Sequence, residues 1–410
     1  MLNPKTNQRE LAYIVDILET KSLDGYDNVH YVRVNEWWCV STKRLSVGDK
    51  AIYFEIDSIL PREDKRFLFM EKRNYRVKTI RLCKVVSQGL VLPISDFPEL
   101  SKLKVGEFVT DKLKIKLYDP DNLRTPTLQR KDSFDKAKDR HPKFFKNPII
   151  KLFMRCSFFR FIIKKIFIHK KDKISWPVWL PKTGSERIQN LPQLFDASTV
   201  TEVVGENEVE VKHPSLTTYI VEEKVDGMSS SYILDEKDTY YVGSHNVIVY
   251  SSKDKDSKSI ADGNKYVKNN VWVDMGVKYN MEHILKQIKE KNKLKIVAIQ
   301  GESYGSGIQK RTYSKKHGDQ DLVVFHIWFD GKRLPVQEMV KVCDEYSLPH
   351  VHVFDWYYYI PSTVDEIIKD IDSKKSAIDS GDIEGFVFYS QDGQQNFKCV
   401  SPNYLLKYHQ

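Results

Sequence analysis

Lys224 stands at the end of an apolar, β-branched run, in the stretch TTYIVEEKVDGMSSSY that fills positions 217 to 232. The pattern predicts a buried strand that delivers a lysine into a tight turn, with Gly227 letting the backbone fold back closely. A lysine amine attacks phosphorus only when unprotonated, and bringing its pKa from about 10.4 to near 7.5 takes roughly 4 kcal/mol of surroundings hostile to the cation. Burial and a neighbouring cation or metal supply such surroundings. Asp226 lies two residues on, so the strand period turns it to the side of Lys224, where it could hold a metal-bound water beside the amine. A K-x-D-G match is weak alone, because a surface β-turn has the same composition.

Other reactive residues follow at the ends of apolar runs. IVAIQGESYGSGIQK at 296–310 predicts a buried strand ending in Gly301 and Glu302, then a glycine-punctuated loop. A carboxylate straight after a buried strand needs a partner, since an unpaired buried charge is costly. IEGFVFYS places Glu384 at the opening of a strand, and QNFKCVSPNYLLKY carries Lys398. DLVVFHIWFD carries Phe325 on a strand, where core packing competes with a stacking role. YYVGSHNVIVY predicts a strand pair whose turn holds His245 and Asn246, and WPVWLPKTGSERIQNLPQLF brackets Lys182 and Arg187 with tryptophans and prolines. These last cations and the hairpin histidine also read as ordinary surface residues.

Taken in order, the motifs resemble those of the covalent nucleotidyltransferases: ATP-dependent DNA ligases, RNA ligases and RNA capping enzymes. EKVDG is similar to the nucleotidyl-attachment motif, which implies Lys224 as the catalytic nucleophile, with Glu223 beside it in the nucleotide site. The PKT-x-x-x-R-x-Q-N block resembles the segment upstream of the nucleophile in phage-type and Naegleria-type RNA ligases and implies phosphate contacts for Lys182 and Arg187. The Gly-Ser-His-Asn turn is similar to a ribose-contacting S-R-N motif, with His245 in place of the arginine and Asn246 kept. GE followed by GIQK resembles the nick-sealing RNA ligases. Phe325 sits where that family stacks an aromatic on adenine, and Glu384 and Lys398 match its metal-facing glutamate and phosphate-binding lysine. Relatives often have a second lysine after the first, whereas this chain reads Lys398-Cys399-Val400; Lys407 or another cation would have to replace it. The resemblance implies ATP as nucleotide, Mg²⁺ or Mn²⁺ held by Asp226, Glu302 and Glu384, and RNA with 3′-OH and 5′-phosphate ends as partner. The fold implied is α+β: an N-terminal OB-like β-barrel plus a nucleotidyltransferase (ATP-grasp-like ligase) domain of antiparallel sheets with flanking helices.

The elements that must position these residues are legible in outline. Residues 9 to 117 read as all-β: LAYIVDIL, VHYVRV, EWWCVS, DKAIYFEI, YRVKTIRLCKVV, GLVLPI and EFVTDKLKIKLY are short runs separated by turn signals, compatible with an OB-fold. Residues 118 to 175 begin as a polar linker and continue as a basic, partly helical insertion carrying Lys151, Arg155, Arg160, Lys164 and Lys165. From Lys131 to Lys173 there are 14 Lys/Arg against 4 Asp, a net of +10, so the rest of a chain of formal charge +9 sums to −1. A basic face for RNA phosphates is the functional expectation for that segment, and plain structural packing the alternative. Residues 176 to 410 form the transferase domain.

Only 12 residues follow Lys398, whereas DNA ligases and capping enzymes continue into a second domain there, so the arrangement is similar to the Naegleria-type RNA ligases. A GTP-using capping guanylyltransferase and an RNA-binding protein with an inactive ligase domain are the alternatives. Five cysteines without a C-x-x-C pair argue for a reducing, intracellular setting, cytoplasmic or nuclear, and against structural zinc. No uninterrupted apolar run suits a membrane span, and a monomer is expected.

Overall fold

The computed structural model describes residues 1–3, 9–118, 147, 150, 174–195, 198–204, 207–213, 217–245, 247–253 and 270–409. The expected basic helices, with Lys151, Arg155, Arg160, Lys164 and Lys165, lie outside these residues, as does Asn246. Met1–Lys116 and Trp176–Gln410 form one compact unit, and the site lies within it.

The N-terminal part is antiparallel. Its strands are β1 (Ala12–Asp16), β2 (Glu19–Leu23), β3 (Tyr26–Val34), β4 (Trp37–Ser41), β5 (Lys50–Phe54), β6 (Ser58–Ile59), β7 (Thr79–Leu82), β8 (Val85–Gln88), β9 (Leu90–Pro93) and β10 (Lys116–Leu117). They pair as β1-β5-β9, β2-β3-β4 and β7-β8. β1 and β5 are buried on both faces, which is why their sequences are continuously apolar. Ala12, Ile14, Ile52 and Phe54 point into a core with Phe67 and Phe97, while Tyr13, Val15, Ala51 and Tyr53 point into another with Val32, Trp37 and Cys39.

Two runs expected as single strands are broken. YRVKTIRLCKVV turns back at Cys83 and Lys84, with φ of 49° and 67°, to make the β7–β8 hairpin. Two consecutive left-handed residues form the turn that suits a two-residue hairpin, but Cys-Lys carries none of its usual Asn-Gly chemistry. In EFVTDKLKIKLY the Thr110 hydroxyl accepts from the amides of Leu11 and Ala12, and the chain then coils through Lys114 at φ 54°. A side chain has taken the place of ladder bonds there.

The second part is built on two sheets. Its strands are β11 (Glu186–Arg187), β12 (Ser198–Val204), β13 (Asn207–His213), β14 (Thr218–Lys224), β15 (Met228–Leu234), β16 (Tyr240–Gly243), β17 (Ile248–Ser251), β18 (Val297–Gly305), β19 (Gln320–Phe329), β20 (Lys332–Arg333), β21 (Val353–Tyr359), β22 (Gly385–Ser390) and β23 (Asn396–Val400). One sheet has the order β11-β23-β22-β14-β21 and the other β17-β16-β15-β18-β19-β20. Helices α1 (Val271–Lys278), α2 (Met281–Lys291) and α3 (Val336–Glu345) cover the six-stranded sheet through Met275, Leu285, Ile288 and Met339. α4 (Val364–Ser373) covers the five-stranded sheet through Ile367 and Ile371, and α5 (Pro402–Tyr408) follows β23. The run WVDMGVKYNMEHILKQIKEKNK is not one continuous helix: Asn280, at φ 48°, separates α1 from α2.

The two parts meet in a buried polar seam. Asn190 Oδ1 accepts from Trp37 Nε1 at 2.6 Å and from the Tyr13 hydroxyl at 3.0 Å, while its Nδ2 donates to Glu55 and Glu186, each at 2.8 Å. Arg9 Nε donates to the other oxygen of Glu55 at 2.9 Å.

Candidate active site

The chain passes from one sheet to the other between Lys224 and Met228, and a cleft opens at that crossing. Gly227 is required there by close approach: a Cβ would stand 2.2 Å from the Ser303 carbonyl oxygen and 2.9 Å from Glu302 Cγ. Lys224 ends β14 with its amine 2.7 Å from Glu384 Oε2. Glu302 does not end its strand as expected; β18 continues to Gly305, and Glu302 pairs across the ladder with Ser229, whose hydroxyl donates to its carboxylate at 3.3 Å. Gly385, next to Glu384, leaves room for the Cys399 carbonyl, which a Cβ would approach to 2.0 Å.

Charges in the cleft are poorly matched by the protein itself. Burial works against the Lys224 ammonium, but Glu384, Glu302 and Asp226 outweigh it and hold the group above its ordinary value. The expected lowering is therefore not a property of these residues by themselves; the acids act as counter-charges to the lysine. Burial pushes Glu302 up to about 8 against the pull of Lys224, with Glu384 and Asp226 adding repulsion. Glu384 is raised as well, by burial first. Lys398 lines the same cleft and is pushed down to about 7 by burial and by the neighbouring Lys224 and Arg187 charges.

The remaining expected residues divide between the cleft and its surroundings. Phe325 lines the cleft and packs on Val225, Val323 and Val351. His245 also lines it, its Nδ1 3.0 Å from the Thr183 hydroxyl, with its pKa lowered by burial and by Lys398 and Lys182. Glu223 lines it too, but its carboxylate accepts from the Ser376 hydroxyl and from the Ala377 amide at 3.0 Å, tying down the turn after α4. Asp226 follows the end of β14, and its charge acts on Lys224, Glu302 and Glu384. Its carboxylate is buried against α5, 3.1 Å from both the Tyr404 hydroxyl and His409 Nε2, and it does not line the cleft. Lys182 lines an adjoining cleft. Arg187 lies in the seam, 5.7 Å above the Trp37 ring, where β11 pairs it with Lys398. Lys407 is bonded to Asp382 at 2.7 Å, away from the residues that line the cleft.

Sequence reasoning passed over Thr183, Ser229, Glu222, His326, Tyr389 and Asn396, which all line the cleft. Glu222 was within reach of strand alternation, being two residues before Lys224. It is 1% exposed, with Oε1 unpartnered, and burial pushes it well above the carboxylate range against the pull of Tyr389 and Arg333. His326 and Tyr389 converge from β19 and β22, and no local motif announces that.

Glu302 and Glu384 suit a hard divalent ion. Both are oxygen donors raised by burial, so a cation would replace the proton that burial favours. Among the described residues no three His, Cys, Asp or Glu are grouped so as to hold an ion by themselves.

This two-sheet domain joined to a small antiparallel β domain defines a ligase-type nucleotidyltransferase fold with an OB-fold at its N-terminus. Residues 217–409 match the RNA ligase family, and residues 11–94 match an OB-fold domain. The structure is similar to that of Naegleria gruberi RNA ligase with PPi, at 22% identity and TM-score 0.69, covering 98% of this chain and 99% of that one. It is also similar to a substituted form of that enzyme with ATP and Mn, at 23% identity and TM-score 0.70, covering 98% and 100%. A further substituted form, with AMP and Mn, gives 23% and 0.70, covering 98% and 99%. No curated protein matches the chain. Among the described residues no helix is long and apolar enough to cross a membrane.

Proposed function

We propose that the protein is an ATP-dependent RNA ligase that joins a 3′-OH to a 5′-phosphate through a lysyl-AMP intermediate. The observation that carries this reading is the Lys224 amine at 2.7 Å from Glu384, in one cleft with Glu302, Phe325 and Lys398. Phe325 would stack on adenine, and the cationic form of Lys398 would neutralise the α-phosphate. Lys224 nitrogen forms a bond to the α-phosphorus as the bond to pyrophosphate breaks. The RNA 5′-phosphate oxygen then takes AMP from the lysine, and the 3′-OH displaces AMP to close the phosphodiester.

Lys224 is held as an ammonium by its acids, so it reacts only after losing a proton. Glu302 and Glu384 are the residues that would hold Mg²⁺ or Mn²⁺, and a bound ion would supply the positive charge that answers both carboxylates and phosphates. With the acids so engaged, burial and the Lys398 charge favour the neutral amine. Asp226 keeps α5 against the turn that bears the nucleophile. The RNA ligase comparisons favour ATP over the GTP of a capping enzyme and an active over an inactive domain.

The test is incubation with Mg²⁺ and α-labelled ATP or GTP, followed by denaturing separation. Label from ATP should stay on the protein, and Lys224→Ala and Lys224→Arg should both abolish it, because arginine cannot deprotonate to act as a nucleophile. Wild-type labelling in either variant would place the nucleophile elsewhere, and labelling by GTP alone would favour the capping reading.

A further inference from the structure

A second cleft adjoins the first and shares Gly184, Ser185, His326 and Asn396 with it. Lys182, Lys332 and Arg333 line this cleft, with Trp328, Gln394 and Glu186. Lys332 and Arg333 form β20, the edge strand of the six-stranded sheet, turned back from β19 through Asp330 and Gly331 at φ 48° and 80°. Lys182 comes from the segment before β11, so two separate parts of the chain bring cations to one groove.

The built part of this groove is Arg333. Its Nε donates to the Gly393 carbonyl at 2.7 Å, and its Nη1 lies 3.2 Å from both Asn396 Oδ1 and His326 Nε2. Each of those partners is neutral: His326 is held far below its ordinary value by burial and by Arg333, and its Nδ1 faces Gln300 Oε1 at 3.3 Å. Gln300 is fixed in turn by Trp328 Nε1 at 2.9 Å and by the Pro181 carbonyl at 3.1 Å. The guanidinium is therefore oriented by neutral partners, while the charges of Glu222 and Asp392 act on it only from beyond ion-pair distance. Among the described residues, neither Arg333 nor the exposed Lys182 and Lys332 is in an ion pair. Glu186, the carboxylate among the lining residues, is already bonded to Asn190 and to the backbone amides of Leu2 and Arg187.

A fixed arginine with no carboxylate in ion-pair distance, in one groove with two exposed lysines, suits a polyanion, since gathered like charges repel until one arrives. We infer that this groove carries the phosphodiester backbone of the RNA, with Arg333 seating one phosphate and Lys182 and Lys332 following the strand past the Lys224 cleft. The inference rests on the RNA ligase reading and adds where the strand lies. The exposed lysines suit a long, solvated ligand, as positioning contacts to nucleic acid do. The groove is also roomier than the first cleft, about 540 Å³ against about 210 Å³.

The experiment measures affinity for a 5′-phosphorylated RNA at several salt concentrations, alongside AMP labelling in ATP without RNA. It uses Lys332→Glu, Lys332→Ala and Lys332→Arg in the full chain. Lys332 is exposed at a hairpin, so these variants should fold, and thermal unfolding checks that they do. Lys332→Ala should flatten the log–log salt dependence by about 0.7 to 0.9, the value of one phosphate contact, Lys332→Glu should weaken RNA binding further, and Lys332→Arg should restore both. Labelling by ATP alone should stay at the wild-type level in all three. Unchanged RNA affinity and slope in Lys332→Glu would overturn the inference. So would loss of ATP labelling with RNA affinity intact, which would assign the groove to the triphosphate. A wild type that never labels would remove the ligase reading itself, whatever the RNA measurements show.

Discussion

Two glutamates in this protein are driven in opposite directions by their surroundings. Glu55, in the seam between the OB-fold and the transferase domain, is 1% exposed, and burial alone would raise it. Arg9 and the amino terminus overcome that and hold it at about 2, with Asn190 supplying a further hydrogen bond. Glu302 is half-buried in the cleft, bonded to the neutral Ser229, and the lysine it faces is shared with Glu384, so desolvation keeps it at about 8. A buried charge that serves architecture is answered by the protein's own groups. One kept for chemistry is left short, and the ligand supplies the remainder.

The largest effect that could break this contrast is on AMP transfer. Glu302→Ala and Glu384→Ala should each slow labelling at least about 10²-fold, as loss of a positioned charge does in phosphoryl transfer. The double variant should lose less than the product of the two, because both acids answer the same lysine and the same ion. Fully multiplicative losses would separate them.

A smaller effect concerns the proton on Glu302. A divalent ion held by Glu302 would bind the ionised carboxylate, so below about 8 the proton would compete and apparent affinity would fall as pH falls. Mn²⁺ titrations between pH 6 and 8 should show up to about tenfold tighter binding per unit of rising pH, and Glu302→Gln should flatten that dependence. A pH-independent wild type would mean Glu302 is already ionised, like Glu55.

The seam should respond in the opposite manner. Asn190→Ala removes bonds to Trp37, Tyr13, Glu55 and Glu186, and should cost about 2 kcal/mol of stability while changing the labelling rate by less than about tenfold. Because Glu55 is depressed in the folded state, its contribution is present above its unfolded value and is lost only as pH falls toward about 2. Denaturation monitored beside labelling would reveal the reverse pattern, a stable but inactive variant, if Asn190 were part of the chemistry.

Much of the fold was legible because β1, β5, β14 and β18 are apolar runs with clear ends. The β7–β8 hairpin was not, since Cys83-Lys84 adopts left-handed geometry without the residues that usually signal it. Lys224, Glu302 and Glu384 fall in local motifs, and the structure brings them together, Glu384 through its contact with the Lys224 amine. The bonds of Asp226 to α5 and the place of Arg187 in the seam were not legible, because a strand end and a domain seam decided their surroundings. Neither is encoded within a few residues of the side chain it redirects.

The central claim is that Lys224 becomes the carrier of AMP. Intact mass and peptide mapping of the wild type after incubation with ATP and Mg²⁺ test it directly. One added AMP should appear on the peptide containing Lys224, should require the divalent ion, and should leave when RNA with 5′-phosphate and 3′-OH ends is supplied. AMP mapped to another residue, or no adduct under any divalent ion, would contradict the account.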